Sequence, residues 1–384
     1  MNGDPDPRRP RIVVSVFDHA AYRGGGQLVV RRIIDRLSRD YEVVLVTTDS
    51  PVDPDGLRAG IRSVTLPVRW AGPRLGQLLY HPLLMLAALL IRHDLWIESL
   101  TPPFSSSFLP LVTRRPVIAL AQTLSARGMA RKYRMPILVP IERFALGLYR
   151  YVIVLNPRDG DLVRTSNPAA AVSLIPNTVT AAGPPADRPA TGSFCLYLGR
   201  LDVTGKGLDL LVDAYRAAGA RTLPLVVAGA GIRTDEIRLA KLVRPLADRV
   251  RLVGYVHGRR KAELLHDAAF VVMPSREEAF GLVALEAMAY GKPVVHFGLH
   301  ELSWIPDDCG VKVTPFDVAE LTRAIEELSC DDARRDRLGR SARAYAERHN
   351  RATTDDAYAT LVADILAAEG GHRSGRARRV GGRG

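Results

Sequence analysis

The sequence is poor in cysteine and lacks any long hydrophobic run. Its three cysteines, Cys195, Cys309 and Cys330, are too few and too widely spaced for a disulfide framework or a four-ligand zinc site, which favours a reducing compartment. The longest apolar run, Leu83–Ile91, is far shorter than the ~20 residues that span a bilayer, and we expect it to form a buried helix. The first ten residues, MNGDPDPRRP, lack the basic start and apolar core of a secretory signal peptide.

Lysine is also scarce, although the chain is basic. Only six of the 53 Lys and Arg residues are lysine, and with 41 Asp and Glu the formal net charge is +12. Arginine pairs bidentately with phosphate and carboxylate, so nucleic acid, anionic lipid and phosphorylated small molecules all remain open as partners. Residues 123–151 contribute six cations and one acid (+5) and the tail after Gly370 contributes five cations (+5), which leaves +2 elsewhere. No nucleic-acid-binding motif accompanies this charge, so we expect no specific nucleic-acid partner.

The order of the apolar segments predicts an α/β fold with two doubly wound domains. Residues 11–17 form a β-branched run that is followed by a glycine-rich turn, a helical pattern and a second strand, and such a unit implies a parallel sheet. A chain of 384 residues also exceeds the size at which a single core stops growing. The predicted organisation is a Rossmann-like domain over 1–176, a Pro- and Gly-rich linker over 177–192, a second such domain over 193–345, a helix over 346–369 that packs back on the first domain, and a disordered Arg/Gly tail over 370–384, with ligands in a cleft between the domains.

The segment 274–293, PSREEAFGLVALEAMAYGKP, carries two acidic residues in unusual places. A strand ends before it and a helix starts near Phe280, so the free N–H groups at the start of that helix form an anion site at the sheet edge. Glu278 lies in the connecting turn. Glu286 lies in a helix that is apolar all round, and we expect it to be buried. A buried unpaired carboxylate is costly, so its partner is either the hydroxyl pair of a ribose or an arginine in a structural ion pair.

A second loop brings cations to the same sheet edge. In residues 197–207, YLGRLDVTGKG, a strand ends in Gly-Arg and Lys-Gly opens the next helix, which places Arg200 and Lys206 as a clamp for phosphates. The loop is not a P-loop, because the glycine spacing differs and Gly207 stands where Ser or Thr is required. A Gly-Ala-Gly turn at Gly229–Gly231 follows the next strand and is weak evidence by itself.

Taken together, these segments resemble the retaining, nucleotide-sugar-dependent glycosyltransferases of the GT-B fold, in the large family four. The resemblance covers roughly residues 11–345. Its signature is Gly-Arg-Leu with Lys-Gly-x-Asp, then Gly-x-Gly, then Pro-Ser-x-x-Glu-x-Phe-Gly-(x4)-Glu-Ala-Met-Ala-x-Gly-x-Pro-Val-Val; the Ile-Pro-Asn at 175–177 and the glycines at 24–26 also match. It implies two Rossmann-like domains that face each other across a cleft, the first on the acceptor side and the second binding the nucleotide sugar.

The resemblance also implies roles for individual residues. Arg200 and Lys206 would bind the diphosphate and stabilise the leaving nucleoside diphosphate, Glu278 would contact the transferred sugar, and these three are the expected catalytic residues. A departing diphosphate needs positive charge where charge develops, so the physical logic agrees. Glu286 would hold the ribose. Such enzymes work without a metal or another cofactor, the nucleotide sugar being a co-substrate. The other expected substrate contacts are Gly25, Gly26, Gln122, Gly229, Gly231, Phe280, Gly281 and Leu282.

Three positions depart from the family pattern. Gln122 stands where many members have a histidine that contacts the donor sugar, and a glutamine can bond a hydroxyl but cannot carry a proton. Glu98 stands where a second histidine is frequent, and residues 298–301, Gly-Leu-His-Glu, replace a Gly-Gly segment. These changes leave the diphosphate site intact. They bear on which sugar moves, and they leave open a non-catalytic GT-B protein or one of the epimerase or phosphorylase type.

Residues 123–151 interleave their cations with apolar side chains. This mixture is typical of an anionic membrane surface contact or of a groove for an anionic lipid or phosphorylated glycan, and a solvated helix face is the alternative. The expected function is transfer of a hexosyl group, with retention, from a nucleoside diphosphate sugar to a glycan, lipid or small-molecule acceptor. We expect it to occur in the cytoplasm, with the protein soluble or peripheral on the inner face of the membrane. A protein that only binds anionic surfaces or nucleic acid is the alternative from a different class.

Overall fold

The chain folds into two compact units, as seen in a computed structural model that describes residues 9–17, 25–48, 61–100, 107–122, 124, 126, 130, 134–178, 192–349 and 351–380. Unit 1 comprises Met1–Asn177 together with Ala352–Gly384, and unit 2 comprises Thr178–Arg351. Most of the segment predicted as a linker lies outside the described residues. Two α/β units with parallel sheets confirm the predicted fold class.

Unit 1 is built on a parallel sheet whose described strands run in the order β3-β2-β1-β4-β5-β6-β7. The central strands are Val- and Ile-rich and buried along their length, because helices cover both faces of the sheet. The strands are β1 (Arg11–Ser15), β2 (Glu42–Thr47), β3 (Arg62–Thr65), β4 (Leu95–Leu100), β5 (Val117–Ala121), β6 (Tyr151–Val154) and β7 (Ala171–Leu174).

The helices of unit 1 pack on opposite faces of this sheet. One face carries α1 (Gly25–Leu37) and the C-terminal α11 (Arg351–Val380), whose apolar residues share a core with β1. The other face carries α2 (Gly72–Leu90), the 3-10 turn Leu109–Leu111, α3 (Leu138–Leu146) and α4 (Pro157–Ser166).

Unit 2 repeats the design with a parallel sheet ordered β10-β9-β8-β11-β12-β13. Its core again lies between the sheet and the helices around it. The strands are β8 (Phe194–Leu198), β9 (Leu225–Ala228), β10 (Val250–Gly254), β11 (Ala268–Met273), β12 (Val294–Phe297) and β13 (Gly310–Val313). The helices are α5 (Leu208–Ala217), α6 (Arg233–Val243), α7 (Gly258–Asp267), α8 (Leu282–Ala289), α9 (Val318–Cys330) and α10 (Asp332–Arg348).

Two sequence expectations are corrected by the structure. The tail predicted to be disordered over 370–384 is helical as far as Val380, where four arginines and Ala377 favour helix, and residues 381–384 lie outside the described residues. The run Leu83–Ile91 is helical up to Leu90 but only partly buried: Leu86, Leu89 and Leu90 are exposed. Within the residues that the structure describes, no helix is long and apolar enough to cross a membrane.

Candidate functional site

The predicted site segments of unit 2 meet at the carboxyl edge of its sheet. The strand order reverses between β8 and β11, and neighbouring strands whose connections run in opposite directions leave a crevice at their carboxyl ends, where doubly wound folds bind ligands. The loop after β8 carries Arg200 and Lys206. The turn after β11 carries Glu278 and leads directly into α8. Residues 70 or more positions apart in the chain therefore come to one place.

The loop after β8 is fixed to the turn after β11 by an arginine. Arg276 donates through its two Nη atoms to the two carboxylate oxygens of Asp209, at 2.7 and 2.9 Å, and its backbone N–H donates to the carbonyl of Gly205 at 3.0 Å. A bidentate pair fixes orientation as well as charge, so the two segments form one edge. Partial burial acts to raise the pKa of Asp209, but the hydrogen bonds and the charge of Arg276, together with backbone N–H groups of Asp209 and Leu210, outweigh it and lower that pKa. Within the loop, Arg200 forms an ion pair with Asp202 at 3.7 Å.

Lys206 and Glu278 form an ion pair within this edge. Nζ of Lys206 lies 2.7 Å from Oε1 of Glu278, and the hydroxyl of Ser275 donates to the same oxygen at 2.7 Å. The side chains are 20% and 10% exposed, so both charges are largely removed from water. A phosphate group that reaches the edge competes with Glu278 for Lys206 and leaves the carboxylate free to accept from hydroxyl groups.

Glu286 is paired as well, and it is less buried than expected. Its Oε1 lies 2.7 Å from Nζ of Lys261 on α7, with side chains 18% and 30% exposed. The structure thus shows the ion-pair alternative, with a lysine in place of the arginine. Because a lysine amine sits on a long flexible stem, it can leave this contact when a ligand hydroxyl pair takes its place.

The start of α8 is held by a column of aromatic rings. Phe280 is buried, its ring stacks on Trp304 with the centroids 4.7 Å apart, and the indole N–H of Trp304 donates to the carbonyl of Phe280 at 2.7 Å. Tyr345 stacks on Trp304 in turn and donates to its carbonyl at 3.1 Å. Gly281 precedes the helix in the left-handed conformation, and Leu282 is its first residue. The free N–H groups of this first turn are therefore presented to the edge by a rigid support.

The glycines at 229 and 231 are required by backbone packing. A Cβ on Gly229 would lie 1.7 Å from the carbonyl oxygen of Gly199, and a Cβ on Gly231 would lie 2.2 Å from that of Leu201. No side chain fits at these distances, so the turn packs directly on the loop that carries Arg200. Substrate contact by either glycine remains a prediction.

The comparison with known families places these residues in one domain. Residues 192–331 match the family model described as "Glycosyl transferases group 1". This range contains every residue of unit 2 that the sequence singled out. Residues 192–331 form a glycosyl transferases group 1 domain. The glycogen synthase of Mycobacterium tuberculosis is 35% identical over 225 residues, which are 54% of this chain and 51% of that protein. The chain thus spans about half the length of the curated relatives that it matches.

Solved structures extend the likeness beyond the group 1 domain at the level of the fold. The sucrose-phosphate synthase of Thermosynechococcus elongatus superimposes with a TM-score of 0.80 at 24% identity, over 94% of this chain and all of that one. Anabaena HepE in complex with UDP-glucose superimposes with a TM-score of 0.72 at 18% identity, over 92% of this chain and all of that one. Both units therefore have the fold of GT-B glycosyltransferases.

Outside the group 1 domain, the predicted residues of unit 1 also come together. Gln122 is buried at the end of β5, and its Nε2 donates to the carbonyl of Gly26 at 3.0 Å and to the hydroxyl of Ser99 at 2.9 Å. It thereby ties the first turn of α1, which begins at Gly25, to the end of β4. In this structure the glutamine binds the protein itself, and a contact with the donor sugar remains a prediction.

Glu98, the second departure from the family pattern, lies in the core of unit 1. It accepts from the hydroxyl of Tyr149 at 2.6 Å and from that of Ser107 at 2.8 Å, and all three residues are buried. Burial raises the pKa of Glu98 to about 7, and the two hydrogen bonds act against that rise. Glu98 is therefore a core residue held by two hydroxyl groups in this structure.

Four residues that were not among the predicted site residues help to hold the group 1 domain's site together. Arg276 and Asp209 carry opposite charges in two segments already predicted to meet, and this signal was available. Trp304 follows a turn and shows no spacing that connects it with Phe280. Lys261 lies on a separate helix from Glu286, and no sequence pattern indicates that pair.

Proposed function

We propose that the protein is a family-four glycosyltransferase that moves a hexosyl group from a nucleoside diphosphate sugar to an acceptor, with retention of anomeric configuration. One observation carries the proposal: the strand reversal brings Arg200, Lys206, Glu278 and the first turn of α8 to the same edge of the group 1 domain. Two cations and a row of free N–H groups make an anion site. An adjoining carboxylate accepts hydrogen bonds from hydroxyl groups. This combination matches a diphosphate joined to a sugar.

Donor binding would exchange internal contacts for ligand contacts. The diphosphate takes Lys206 from Glu278 and engages Arg200 and the N–H groups of Phe280, Gly281 and Leu282. Glu278 then accepts from hydroxyl groups of the transferred sugar. Glu286 exchanges Lys261 for the ribose hydroxyls. Because the two carboxylates are already held by lysines 2.7 Å away, these two exchanges need only movement of the lysine side chains.

In the transfer step, the acceptor oxygen bonds to the anomeric carbon on the face from which the diphosphate leaves. The electron pair of the breaking carbon–oxygen bond goes to the phosphate oxygen, and the acceptor's hydroxyl proton is taken up by that leaving oxygen. Negative charge develops on the diphosphate beside Arg200 and Lys206, where fixed positive charge lowers the barrier. Because Arg200 and Lys206 supply positive charge beside the leaving diphosphate, we propose that the reaction requires neither a metal nor another cofactor.

Exposed apolar and basic residues of unit 1 suggest the class of acceptor and the cellular location of the reaction. In the described part of 123–151, Met135, Ile137 and Phe144 are exposed beside the exposed Arg134 and Arg143. We propose that this segment receives a glycan, lipid or small-molecule acceptor and contacts the inner face of an anionic membrane from the cytoplasm. Of its other cations, Arg150 pairs with Glu369 at 2.6 Å, and Arg127, Arg131 and Lys132 lie outside the described residues.

The test is incubation of the full chain with UDP-, GDP-, ADP- and dTDP-sugars, with release of nucleoside diphosphate as the readout, in the presence and absence of EDTA. We expect slow release from one donor class, unchanged by EDTA, and nuclear magnetic resonance of the released or transferred sugar should show the donor's anomeric configuration. Lys312→Gln is the matched control, since Lys312 makes only an exposed pair with Asp307. Failure of every donor and every diphosphate to bind would refute the proposal. An altered sugar still attached to its nucleotide would instead indicate an epimerase.

A further inference from the structure

Helix α2 of unit 1 exposes an apolar stripe. Leu75, Leu78, Leu86 and Leu89 are 50%, 51%, 50% and 63% exposed, and Pro82 between them is exposed too. Successive spacings of three, four, four and three residues place all five within an arc of about 80° on the helix. Single exposed leucines are ordinary, but a contiguous stripe of this kind marks an interaction surface.

The stripe carries no charge and continues at both ends of the helix. From Leu75 to Leu90 the sequence has no Asp, Glu, Lys or Arg. Trp70, 78% exposed, lies just before the helix, and Leu90, 75% exposed, ends it. Tryptophan is favoured where an apolar surface meets water, because its ring is apolar and its N–H is polar.

The opposite side of α2 is buried in the core of unit 1. Tyr80, Leu84, Ala87 and Ala88 belong to the core beneath the sheet of unit 1. The exposed stripe is therefore a second apolar side, which packing among the described residues of unit 1 does not explain. On the same face of the sheet lie the exposed Leu111 of the 3-10 turn, which contacts α2, and the exposed residues of α3.

The chain segments before and after α2 are basic. Residues 61–141 contain ten Lys and Arg but only two acids, Asp94 and Glu98. Asp94 is paired with Arg115 at 3.5 Å, and Glu98 is buried. Arg92, two residues after α2, and Arg114, three residues after the 3-10 turn, are exposed. An apolar stripe with exposed arginines in the neighbouring segments matches the boundary between the acyl chains and the headgroups of an anionic membrane.

We propose that the α2 stripe docks on the surface of an anionic lipid bilayer, with the leucines among the acyl chains and the arginines at the headgroups. The positive charge favours a lipid surface over a second copy of the chain as the partner of this stripe. A two-fold dimer through α2 would pack the stripe of one copy against the stripe of the other and bring the basic segments of both copies together, which is repulsive. The inference adds a second helix to the surface proposed for 123–151, and it does not depend on sugar transfer.

The test is flotation of the full chain with vesicles of phosphatidylcholine alone and with added phosphatidylglycerol. We expect binding to the anionic vesicles that weakens as salt is raised. Leu86→Gln with Leu89→Gln should weaken it by at least about tenfold, because two apolar side chains lose their burial. Ile232→Gln with Ile237→Gln is the matched control, since these exposed isoleucines lie in unit 2, and it should float like the wild type. Arg92→Gln with Arg114→Gln should reduce the preference for phosphatidylglycerol.

Three results would overturn the inference: wild type that stays unbound with anionic vesicles, an α2 variant that floats as well as the wild type, or a wild-type dimer in light scattering that the α2 variant converts to monomer. The α2 variant keeps the Arg-rich tail, so binding through the tail alone would appear as the second result. Nucleoside diphosphate binding, measured on the same variant without vesicles, should be unchanged. Failure here is thus distinguishable from failure of the proposed function.

Discussion

Replacing Lys206 with glutamine should separate the structural role of its ion pair from its role toward the donor. The ammonium lies 2.7 Å from Glu278, whose remaining side-chain donor is the hydroxyl of Ser275 at 2.7 Å. Removing one member of a fully buried pair costs about 3–5 kcal/mol, because the other charge is left without its partner. With side chains 20% and 10% exposed, part of that penalty is relieved by water, and we expect about 1–2 kcal/mol of lost stability for Lys206→Gln.

Adding Glu278→Gln to that variant removes the stranded charge. The double variant should therefore recover most of the lost stability, whereas its activity should stay low. Loss of a donor aimed at developing charge reduces kcat by about 10²–10³-fold, and a neutral glutamine supplies no positive charge to the diphosphate. Urea unfolding measures the first effect and nucleoside diphosphate release measures the second. A matched variant, Lys312→Gln, breaks an exposed pair and should change neither by a measurable amount.

The reasoning would be refuted in either of two ways. A double variant no more stable than Lys206→Gln would show that Glu278 is not stranded by loss of the lysine. A kcat for Lys206→Gln within about threefold of the wild type would show that the ammonium does not face the leaving group.

Three further predictions concern Glu98 in the core of unit 1 and two groups at the candidate site of unit 2. Glu98→Gln should flatten the pH dependence of stability. In the wild type the pKa of the Glu98 carboxyl is raised from 4.5 to about 7, so the carboxyl contributes stability below pH 4.5 that is lost as the pH rises through 7. Unfolding experiments at successive pH values should therefore show that the wild type loses about 3 kcal/mol relative to the variant over this range. Trp304→Phe keeps the stack on Phe280 but removes the indole N–H, and calorimetric titration should show nucleoside diphosphate binding weakened by about fivefold, with unchanged affinity contradicting a positioning role. Glu286→Gln should weaken that binding by about tenfold while Lys261→Met changes it little, whereas equal losses would make the pair purely structural.

The central strands and the helices between them follow from the sequence because each buried strand is a run of β-branched and apolar residues. Strands β3, β7 and β13 escaped prediction, since each is a four-residue edge strand with at most two buried side chains and no continuous apolar run. Apolarity alone also does not show which side of a helix meets the protein. For this reason the run Leu83–Ile91 suggested a buried helix, although three of its five leucines are exposed.

The site was predictable in its location but only partly in its contacts. Motif spacing at two strand ends places Arg200, Lys206 and Glu278 at one edge, because parallel strands end together. The pairs that hold the edge without ligand depend on side chains from distant helices and turns. Lys261 and Trp304 reach the site through tertiary packing, and one sequence has no periodicity that reports such a contact.

The most direct test of the central claim is thermal unfolding of the full chain with UDP, GDP, ADP and dTDP, in parallel with Arg200→Gln. A ligand that binds only the folded state stabilises it by about 2.7 kcal/mol at a hundred times its dissociation constant. We predict that one diphosphate raises the unfolding temperature of the wild type and that the variant loses most of that rise. No rise with any of the four, or an equal rise in the variant, would contradict the assignment of this sheet edge as the donor site.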